Sequence, residues 1–249
     1  MKSHKPIAEG NTARIYPHEE GVVKIFKEHF PEGEAAREAE KQEYAFSHGL
    51  SVPKIVEVTR IDGKQAIIME FIEGQTLGDL FLKDSERSVY YLGLSIEVQQ
   101  KIHTVTGGDI GSMAEKLSRQ LDAAPMLNQS QKAALKEKLH EMPFEERLCH
   151  GDFHLFNVMM KDQKVTVIDW VDASAGDPRA DVCRTYLLYT SFSQELADLY
   201  LRLYCEKTGT EEEEILTWTP IIAGARLAEH VPSEDPDRLL NMVKAYCSL

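Results

Sequence analysis

Residues 150–157 of the chain read HGDFHLFN, and residues 168–170 read IDW. Within this stretch Asp152 stands five positions before Asn157, and a second aspartate, Asp169, follows after a short intervening segment. Two carboxylates and an amide at this spacing are the layout of a phosphoryl-transfer site. The whole pattern is much more specific than any one of its residues, because a single loop aspartate is usually a solvated surface residue.

The segment between Asn157 and Asp169 predicts a small hairpin, because strand-like residues flank the polar turn 161–163. Such a hairpin would bring Asn157 and Asp169 close together. Carboxylate and amide oxygens are ligands that suit Mg²⁺, so these two residues are candidate magnesium ligands. Asp152 is the candidate catalytic base, since a carboxylate there can orient an acceptor hydroxyl and take its proton.

The charge balance of the chain is acidic. Its 249 residues include 28 Lys+Arg and 41 Asp+Glu, which gives a net charge of −13. Proteins that grasp nucleic acid through its phosphates need a basic face, so we expect no nucleic-acid partner. An acidic chain suits a cationic substrate, although many soluble proteins are acidic for no such reason.

Several features indicate a cytoplasmic, soluble protein with no membrane partner. No run approaches the ~18 consecutive apolar residues of a membrane span, and residues 1–6 lack the apolar core of a signal peptide. The cysteines form no C-x-x-C pair and do not cluster with histidines, so we interpret them as reduced thiols.

The distribution of strand-like and helical patterns predicts an α+β fold with two lobes. Residues 1–73 read as a small antiparallel β-sheet lobe with one helix, and residues 74–249 as a larger, mainly helical lobe. A hinge is expected near residues 70–74. The cleft between two such lobes is a common place for a nucleotide.

The individual elements follow from periodicity and from cap and turn residues. Strands are predicted at 14–16, 21–26, 55–58, 65–70, 157–160 and 164–169. Helices are predicted at 34–48, 76–83, 85–103, 112–123, 130–141, 181–190, 193–207, 211–217, 219–230 and 233–248.

Lys24 is a lysine within the otherwise apolar strand 21–26. It either reaches solvent or points into a cleft toward phosphates. The helix at 34–48 offers Glu38, Glu40 and Glu43 as partners, and residues three or four apart share a helix face, so only one or two can point inward. We prefer Glu38, with Glu43 as the alternative.

A turn at Gly10, Asn11 and Thr12 precedes the hairpin that carries Lys24. One glycine in a turn is a weak phosphate-loop signal by itself. The position of this turn strengthens the signal, because a loop here could cover phosphates with backbone N–H groups.

Together these motifs resemble those of the aminoglycoside phosphotransferase and choline kinase-like family, which has a protein-kinase-like bilobal fold. The matches fall in family order over roughly residues 10 to 185, and they are Val23-Lys24, Arg37-Glu38-Ala39, Val52-Pro53, Met69-Glu70 with Gly74, the two motifs above, and Gly176-Asp177-Pro178 with Asp181. The resemblance implies a phosphotransferase that uses Mg²⁺, with ATP as donor and GTP as the alternative.

The resemblance also implies a role for each matching residue. Asp152 would be the catalytic base, and Asn157 and Asp169 would bind Mg²⁺. Lys24 would hold the α- and β-phosphates, and Glu38 would hold Lys24.

Further roles follow from the same resemblance. The backbone of Glu70, Phe71 and Ile72 would form the hinge that meets the adenine. Asp181 would be a structural carboxylate that braces the catalytic loop, and His150 would also be architectural.

The acceptor implied by the resemblance is a small hydroxylated molecule, either aminoglycoside-like or an amino alcohol. The sequence departs from the family around residues 154–156 and at Val171, which leaves the acceptor open. Acidic residues near the C-terminus, among them Glu229 and Glu234, would fit a cationic acceptor. Solvated helix faces are the preferred interpretation of these acids.

Three alternatives stay open. A small atypical Ser/Thr protein kinase would share the phosphate machinery, although no A-P-E segment follows Asp169 and residues 176–178 arrive too soon for a long activation loop. A nucleotide-binding pseudokinase would lack transfer despite the motifs. A metallohydrolase built on His150, Asp152, His154 and Asp169 is disfavoured by the lack of further histidines at ligand spacing.

Overall fold

The computed structural model describes residues 5–10, 12–28, 30–142, 145–229, 231 and 234–247. The described residues belong to two compact units. The first unit comprises Met1–Ser85 and Leu155–Ala173, and the second comprises Glu86–His154 and Ser174–Leu249. A compact unit is not the same as an independently folding domain, so the domains 1–73 and 74–249 stay a prediction.

Strands and helices alternate irregularly along the chain. The strands are β1 (Ala8–Glu9), β2 (Ala13–His18), β3 (Gly21–Phe26), β4 (Ile55–Ile61), β5 (Lys64–Met69), β6 (Gln75–Thr76), β7 (Arg147–Cys149), β8 (Val158–Lys161), β9 (Lys164–Val167) and β10 (Ser174–Gly176). The helices are α1 (Glu34–Ser47), α2 (Leu77–Lys83), α3 (Ser88–His103), α4 (Met113–Ala123), α5 (Gln129–Glu141), α6 (Pro178–Thr190), α7 (Gln194–Thr208), α8 (Glu212–Leu216), α9 (Thr219–Arg226) and α10 (Pro236–Cys247). Two 3₁₀ turns lie at Ser85–Arg87 and Leu155–Asn157.

The first unit is built on an antiparallel sheet with the strand order β1-β2-β3-β5-β4 in the described part of the chain. Helix α1 covers one face of this sheet, where Ala35 and Ala39 join the side chains of β3 and β5 in one buried cluster. The opposite face carries a second cluster around Val23. Because successive strand residues point to opposite faces, β3 turns residues 22, 24 and 26 toward α1.

The hairpin predicted after Asn157 is present as β8 and β9, and β6 extends it on the other edge. Its turn consists of Asp162 and Gln163, which both have positive φ (48° and 65°), as a two-residue hairpin of the primed type requires. Lys161, predicted to lie in the turn, is instead the last residue of β8 and faces Lys164.

The second unit is mainly helical, with a small antiparallel pair of strands, β7 and β10. The mixed α+β composition predicted from the sequence is therefore confirmed. Several helix boundaries differ from the prediction, because cap residues start the helices earlier or later. Asn128 caps α5 in a reciprocal capping box with Gln131, and Asp177 caps α6 with Pro178 in its first turn.

Other boundaries were wrong for similar reasons. Residues 85–87 form a 3₁₀ turn before α3 begins at Ser88. Helix α9 ends at Arg226, and α10 begins at Pro236, which favours the start of a helix because it has no N–H to leave unpaired. Pro17 lies within β2, beyond the two residues of β2 that pair with β1, so its missing N–H costs no bond to that neighbour.

At Gly21, the first residue of β3, the backbone packs closely against the main chain at the end of β5 and just after it. Its φ is 136°, and a Cβ at this position would lie 2.3 Å from the carbonyl oxygen of Met69 and 3.0 Å from the nitrogen of Phe71. Only glycine adopts this backbone conformation without strain and leaves room for the neighbouring main chain.

We therefore expect Gly21→Ala to destabilise the protein far more than Gly63→Ala. Gly63 also has a positive φ, 79°, but apart from its two neighbours in the chain no residue has an atom within 4 Å of the position of an added Cβ. Gly63→Ala should cost about 1–2 kcal/mol from backbone strain alone, and Gly21→Ala should cost about 1–3 kcal/mol more from the clash. Urea unfolding of both variants measures this difference, and equal losses would contradict it.

Candidate active site

Lys24 is buried in the first unit because β3 turns its side chain toward α1. Its neighbours on the same face, Val22 and Phe26, belong to the cluster that packs against α1. Only 5% of Lys24 is exposed. An ammonium group in such a place is costly unless it is paired, so this strand lysine needs anionic partners.

Glu38 is one of these partners. The Nζ atom of Lys24 lies 2.6 Å from Oε1 of Glu38. The buried face of α1 repeats at helical spacing and consists of Ala35, Glu38, Ala39, Gln42 and Ala45. Glu40 and Glu43 are exposed, and the helix glutamate that reaches Lys24 is Glu38.

Asp169 is the second partner, with Oδ1 2.7 Å from Nζ of Lys24. It directly follows Ile168 at the end of the β8–β9 hairpin and has a left-handed backbone, with φ of 64°. Aspartate tolerates this conformation better than most residues do. The next residue, Trp170, is fully buried and donates its Nε1–H to the carbonyl of Val167 at 3.1 Å, which anchors the bend.

The two carboxylates determine the charge state of Lys24. Burial alone would lower the pKa of Lys24, but the charges of Glu38 and Asp169 outweigh burial and raise it above its ordinary value. Burial raises the pKa of Glu38, since its carboxylate is 1% exposed and has lost almost all hydration. Lys24 is therefore held as a cation.

Asn157 lies at the same end of the hairpin as Asp169. It ends the 3₁₀ turn before β8, and its carbonyl oxygen accepts the N–H of Ile168 at 3.0 Å. This hydrogen bond holds the backbone of Asn157 beside Ile168, the residue before Asp169. Asn157 is 7% exposed. The predicted hairpin thus does bring the two candidate metal ligands onto neighbouring backbone positions.

A cavity of about 420 Å³ opens in the first unit beside these residues. Ligand sites in proteins typically have volumes of roughly 300–1,000 Å³. The sequence-predicted residues that line this cavity are Gly10, Thr12, Lys24, Glu38, Glu70, Phe71, Ile72, Asn157 and Asp169. Asn11, which the sequence also singled out, lies outside the described residues.

The loop at Gly10 and the hinge segment are both tied to the sheet. Gly10 donates its N–H to the carbonyl of Ala13 at 3.0 Å, and its own carbonyl accepts the ammonium group of Lys27 at 2.8 Å. Glu70 donates its N–H to the carbonyl of Lys54 at 2.9 Å. Backbone hydrogen bonds therefore hold both parts of the cavity lining in place, the loop at Gly10 and the segment at Glu70.

Asp152 belongs to the second unit, where it follows β7. Its Oδ2 lies 3.6 Å from Nε2 of His154, and its Oδ1 lies 3.7 Å from Nη2 of Arg184. Burial would raise the pKa of Asp152, but the contact with His154 and the charges of Arg184, His154 and His150 outweigh it and lower the pKa. Asp152 is held as a carboxylate whose side chain is 28% exposed.

Asp181 fixes the backbone just before Asp152. Its Oδ1 accepts the N–H of Gly151 at 2.7 Å, and its Oδ2 lies 3.0 Å from Nε2 of His103. Gly151 has φ of 78°, which suits glycine at this bend. Burial opposes ionisation of Asp181, yet the contacts with His103, His150 and Gly151 lower its pKa to about 2.

His103 and Arg184 were not identified from the sequence. Both lie on helices far from the motif in sequence, His103 on α3 and Arg184 on α6. No local motif marks either residue. The helical spacing of four between Gln99 and His103, which both contact Asp181, is the one sequence signal that could have suggested a shared face.

The C-terminal acids include two that are largely buried in ion pairs. The preferred interpretation of solvated helix faces is wrong for Glu229 and Glu234, whose side chains are 17% and 7% exposed and form ion pairs with arginines. Sequence periodicity does not reveal these pairs, because the arginine partners lie on other turns and helices.

His103, Cys149 and Asp181 are close enough to share a metal ion, as judged over the described residues. Burial raises the pKa of the Cys149 thiol well above its ordinary value, which disfavours the thiolate that a metal would need. Asp181 already accepts the N–H of Gly151. Hydrogen bonding explains this group without a metal.

In the described part of the chain, no helix is both long and apolar enough to span a membrane.

The model of the phosphotransferase enzyme family, APH, matches residues 3–216. Human acyl-CoA dehydrogenase family member 11 is 28% identical over 179 residues, a match that covers 61% of this chain and 23% of that protein. The chain thus spans about a quarter of the length of this curated relative. The family resemblance drawn from the motifs is confirmed.

Solved structures show the same fold at low sequence identity. Aminoglycoside phosphotransferase APH(4)-Ia, in a ternary complex with ADP and hygromycin B, has a TM-score of 0.72 and 16% identity, covering 98% of this chain and 92% of that chain. Choline kinase LicA from Streptococcus pneumoniae has a TM-score of 0.66 and 17% identity, covering 96% and 92%. The predicted kinase-like fold is confirmed.

We expect Glu38→Gln to destabilise the protein by about 1–3 kcal/mol, because it removes one of two anions around a buried cation. Glu43→Gln, on the exposed side of α1, should change stability by less than about 0.5 kcal/mol. Urea unfolding at neutral pH measures both, and equal effects would contradict the pairing.

The ion pair between Lys24 and Glu38 also predicts how the stability of the protein depends on pH. Since folding raises the pKa of Lys24 from 10.5, the stabilisation by Lys24 is fully present below pH 10.5 and is lost as pH rises through the folded-state value. Stability of the wild type should fall above pH 10.5, and Glu38→Gln should flatten this fall. Unfolding measured from pH 8 upward tests the sign, and identical slopes in the two proteins would be the opposite outcome.

Proposed function

This chain belongs to the phosphotransferase enzyme family, and we propose that it transfers the γ-phosphate of ATP to a hydroxyl group of a small molecule. The observation that carries the proposal is the buried Lys24, paired with Glu38 and Asp169 at a cavity that the hinge residues also line. GTP is the alternative donor.

The adenine would lie in the apolar part of this cavity. Its apolar lining includes Val22, Met69, Met159 and Ile168. At the hinge, the N–H of Glu70 is already donated to Lys54, so Glu70 can offer only its carbonyl oxygen. The N–H donor for the base would then come from Phe71 or Ile72.

The phosphates would bind beside Lys24. When the nucleotide enters, phosphate oxygens can replace Asp169 as partners of the ammonium group, while Glu38 keeps it in place. Gly10 and Thr12 line the same cavity. Because the N–H of Gly10 is donated to Ala13, Thr12 is the proposed backbone N–H donor to the phosphates. Asn11 is proposed to share this role.

Asn157 and Asp169 are the proposed magnesium ligands. Their side chains offer an amide oxygen and a carboxylate, the hard donors that Mg²⁺ prefers, and both residues line the same cavity. Mg²⁺ bound with the nucleotide would neutralise phosphate charge. Release of Asp169 from Lys24 would free the carboxylate for this role.

Asp152 is the proposed catalytic base. Its lowered pKa keeps it as a carboxylate at neutral pH, ready to accept a hydrogen bond from an acceptor hydroxyl. A weakly basic carboxylate suits a reaction in which proton transfer is late and orientation of the hydroxyl matters most.

The proposed acceptor is an amino alcohol or an aminoglycoside-like compound. The net charge of −13 favours a cationic molecule, and the similar solved proteins include a choline kinase and a hygromycin B complex. Glu229 and Glu234 are engaged by arginines, so other acids would have to contact the cation.

Asp169→Asn should abolish most of the gain in nucleotide affinity that Mg²⁺ brings. We expect wild-type protein to bind AMP-PNP at least about tenfold more tightly with Mg²⁺, a difference of about 1.4 kcal/mol. Asp162→Asn, in the exposed turn of the same hairpin, should keep this gain. Calorimetric titration with and without Mg²⁺ measures it, and an unchanged gain in Asp169→Asn would exclude Asp169 as a ligand.

Asp152→Asn should leave the affinity for AMP-PNP within about twofold and lower phosphotransfer by about 10²–10⁴-fold. The assay follows labelled phosphate from ATP into a pool of amino alcohols and aminoglycosides, with Asp198→Asn, on the surface of α7, as the control. Turnover near that of the wild type would refute the assignment of Asp152 as the base.

A further inference from the structure

A chain of alternating charges surrounds Arg184 in the second unit. Arg184 binds Glu229 with two hydrogen bonds, Nη1 to Oε1 at 2.6 Å and Nη2 to Oε2 at 3.1 Å. Glu229 Oε1 also accepts the amide N–H of Gln120 at 3.0 Å, and Glu229 Oε2 lies 3.8 Å from Arg226. The carboxylate of Glu229 is thus fixed from three sides.

The network continues beyond Glu229. Arg226 donates to Glu234, and Glu234 also pairs with Arg238 at 2.5 Å. Arg226 is 4% exposed and Arg184 is 8% exposed. Buried charges of this kind keep one geometry, because each change of partner would leave an unpaired charge.

Arg184 is also near Asp152, but it does not form a hydrogen bond with the carboxylate at the observed distance. Its Nη2 lies 3.7 Å from Oδ1 of Asp152, beyond hydrogen-bonding range. Arginine and carboxylate pairs usually close to about 2.8 Å with two parallel bonds. Arg184 makes this two-bond contact with Glu229 instead.

We propose that Glu229 is a positioning residue that restrains Arg184. While Glu229 holds the guanidinium group, Arg184 lies near Asp152 but does not bond to the carboxylate oxygen that the acceptor hydroxyl needs. Without Glu229, Arg184 would close onto Asp152 and block it. This inference rests on the proposed function of Asp152 as the base.

The restraint predicts opposite behaviour for single and double variants. Glu229→Gln should lower phosphotransfer by about tenfold to a hundredfold, since Asp152 would be bound by Arg184 and general-base participation contributes about 10²–10⁴-fold. Adding Arg184→Gln to Glu229→Gln should restore part of the lost rate, because the blocking group is then gone. A purely structural role of the pair would make the double variant no better than the single.

Two measurements test the proposal. The first follows labelled phosphate transfer from ATP, to pooled hydroxyl compounds and to water, for the wild type, both single variants and the double variant, with Glu206→Gln on the surface of α7 as the control. Affinity for AMP-PNP should stay within about twofold throughout, because neither Arg184 nor Glu229 lines the cavity proposed for the nucleotide. A normal rate in Glu229→Gln, or no recovery in the double variant, would overturn the proposal.

The second measurement is a crystal structure of Glu229→Gln, which needs no turnover. Arg184 at hydrogen-bonding distance from Asp152 supports the restraint, and Arg184 still 3.7 Å away overturns it. Because this readout is independent of catalysis, it separates the two claims. If Arg184 closes but Asp152→Asn remains active, the restraint stands and the assignment of the base fails.

Discussion

The buried ammonium group of Lys24 is the constraint on which the first unit depends. Removing an unpaired ion from water costs several kcal/mol, so the fold must supply anions around it. Glu38 can do so only when α1 packs on the sheet, and Asp169, 145 positions away in sequence, only when the β8–β9 hairpin folds onto the same unit. One cation thus links a strand, a helix and a hairpin, and the candidate nucleotide cavity lies beside their meeting point.

In the second unit, Asp152 likewise depends on neighbouring polar and charged groups. Asp181 holds the backbone of Gly151, and the contact with His154 and the charge of Arg184 lower the pKa of Asp152 against the effect of burial. The burial of Arg184 would itself be costly without Glu229. In both units a residue proposed to act on substrate has a charged neighbour with no proposed contact with substrate, Glu38 for Lys24 and Arg184 for Asp152.

Family membership and substrate rest on different parts of this chain. The motif residues that carry the family resemblance include Asp169, which lies at a backbone bend, and Lys24 and Glu38, which form a buried ion pair. No motif of the chain identifies the acceptor, and two of the candidate acids, Glu229 and Glu234, form ion pairs with arginines. A fold shared at 16–17% identity with an aminoglycoside phosphotransferase and a choline kinase therefore does not choose between their substrates.

The sequence by itself determined the motif residues, the hairpin between Asn157 and Asp169, and the mixed α+β composition, because local spacing and turn chemistry encode them. It narrowed the partner of Lys24 to the glutamates of one helix. Only the tertiary structure showed that Asp169 also pairs with Lys24, that His103 supports Asp181, and that Glu229 binds Arg184. These contacts join residues far apart in the chain, and their energies depend on burial, which periodicity alone does not specify.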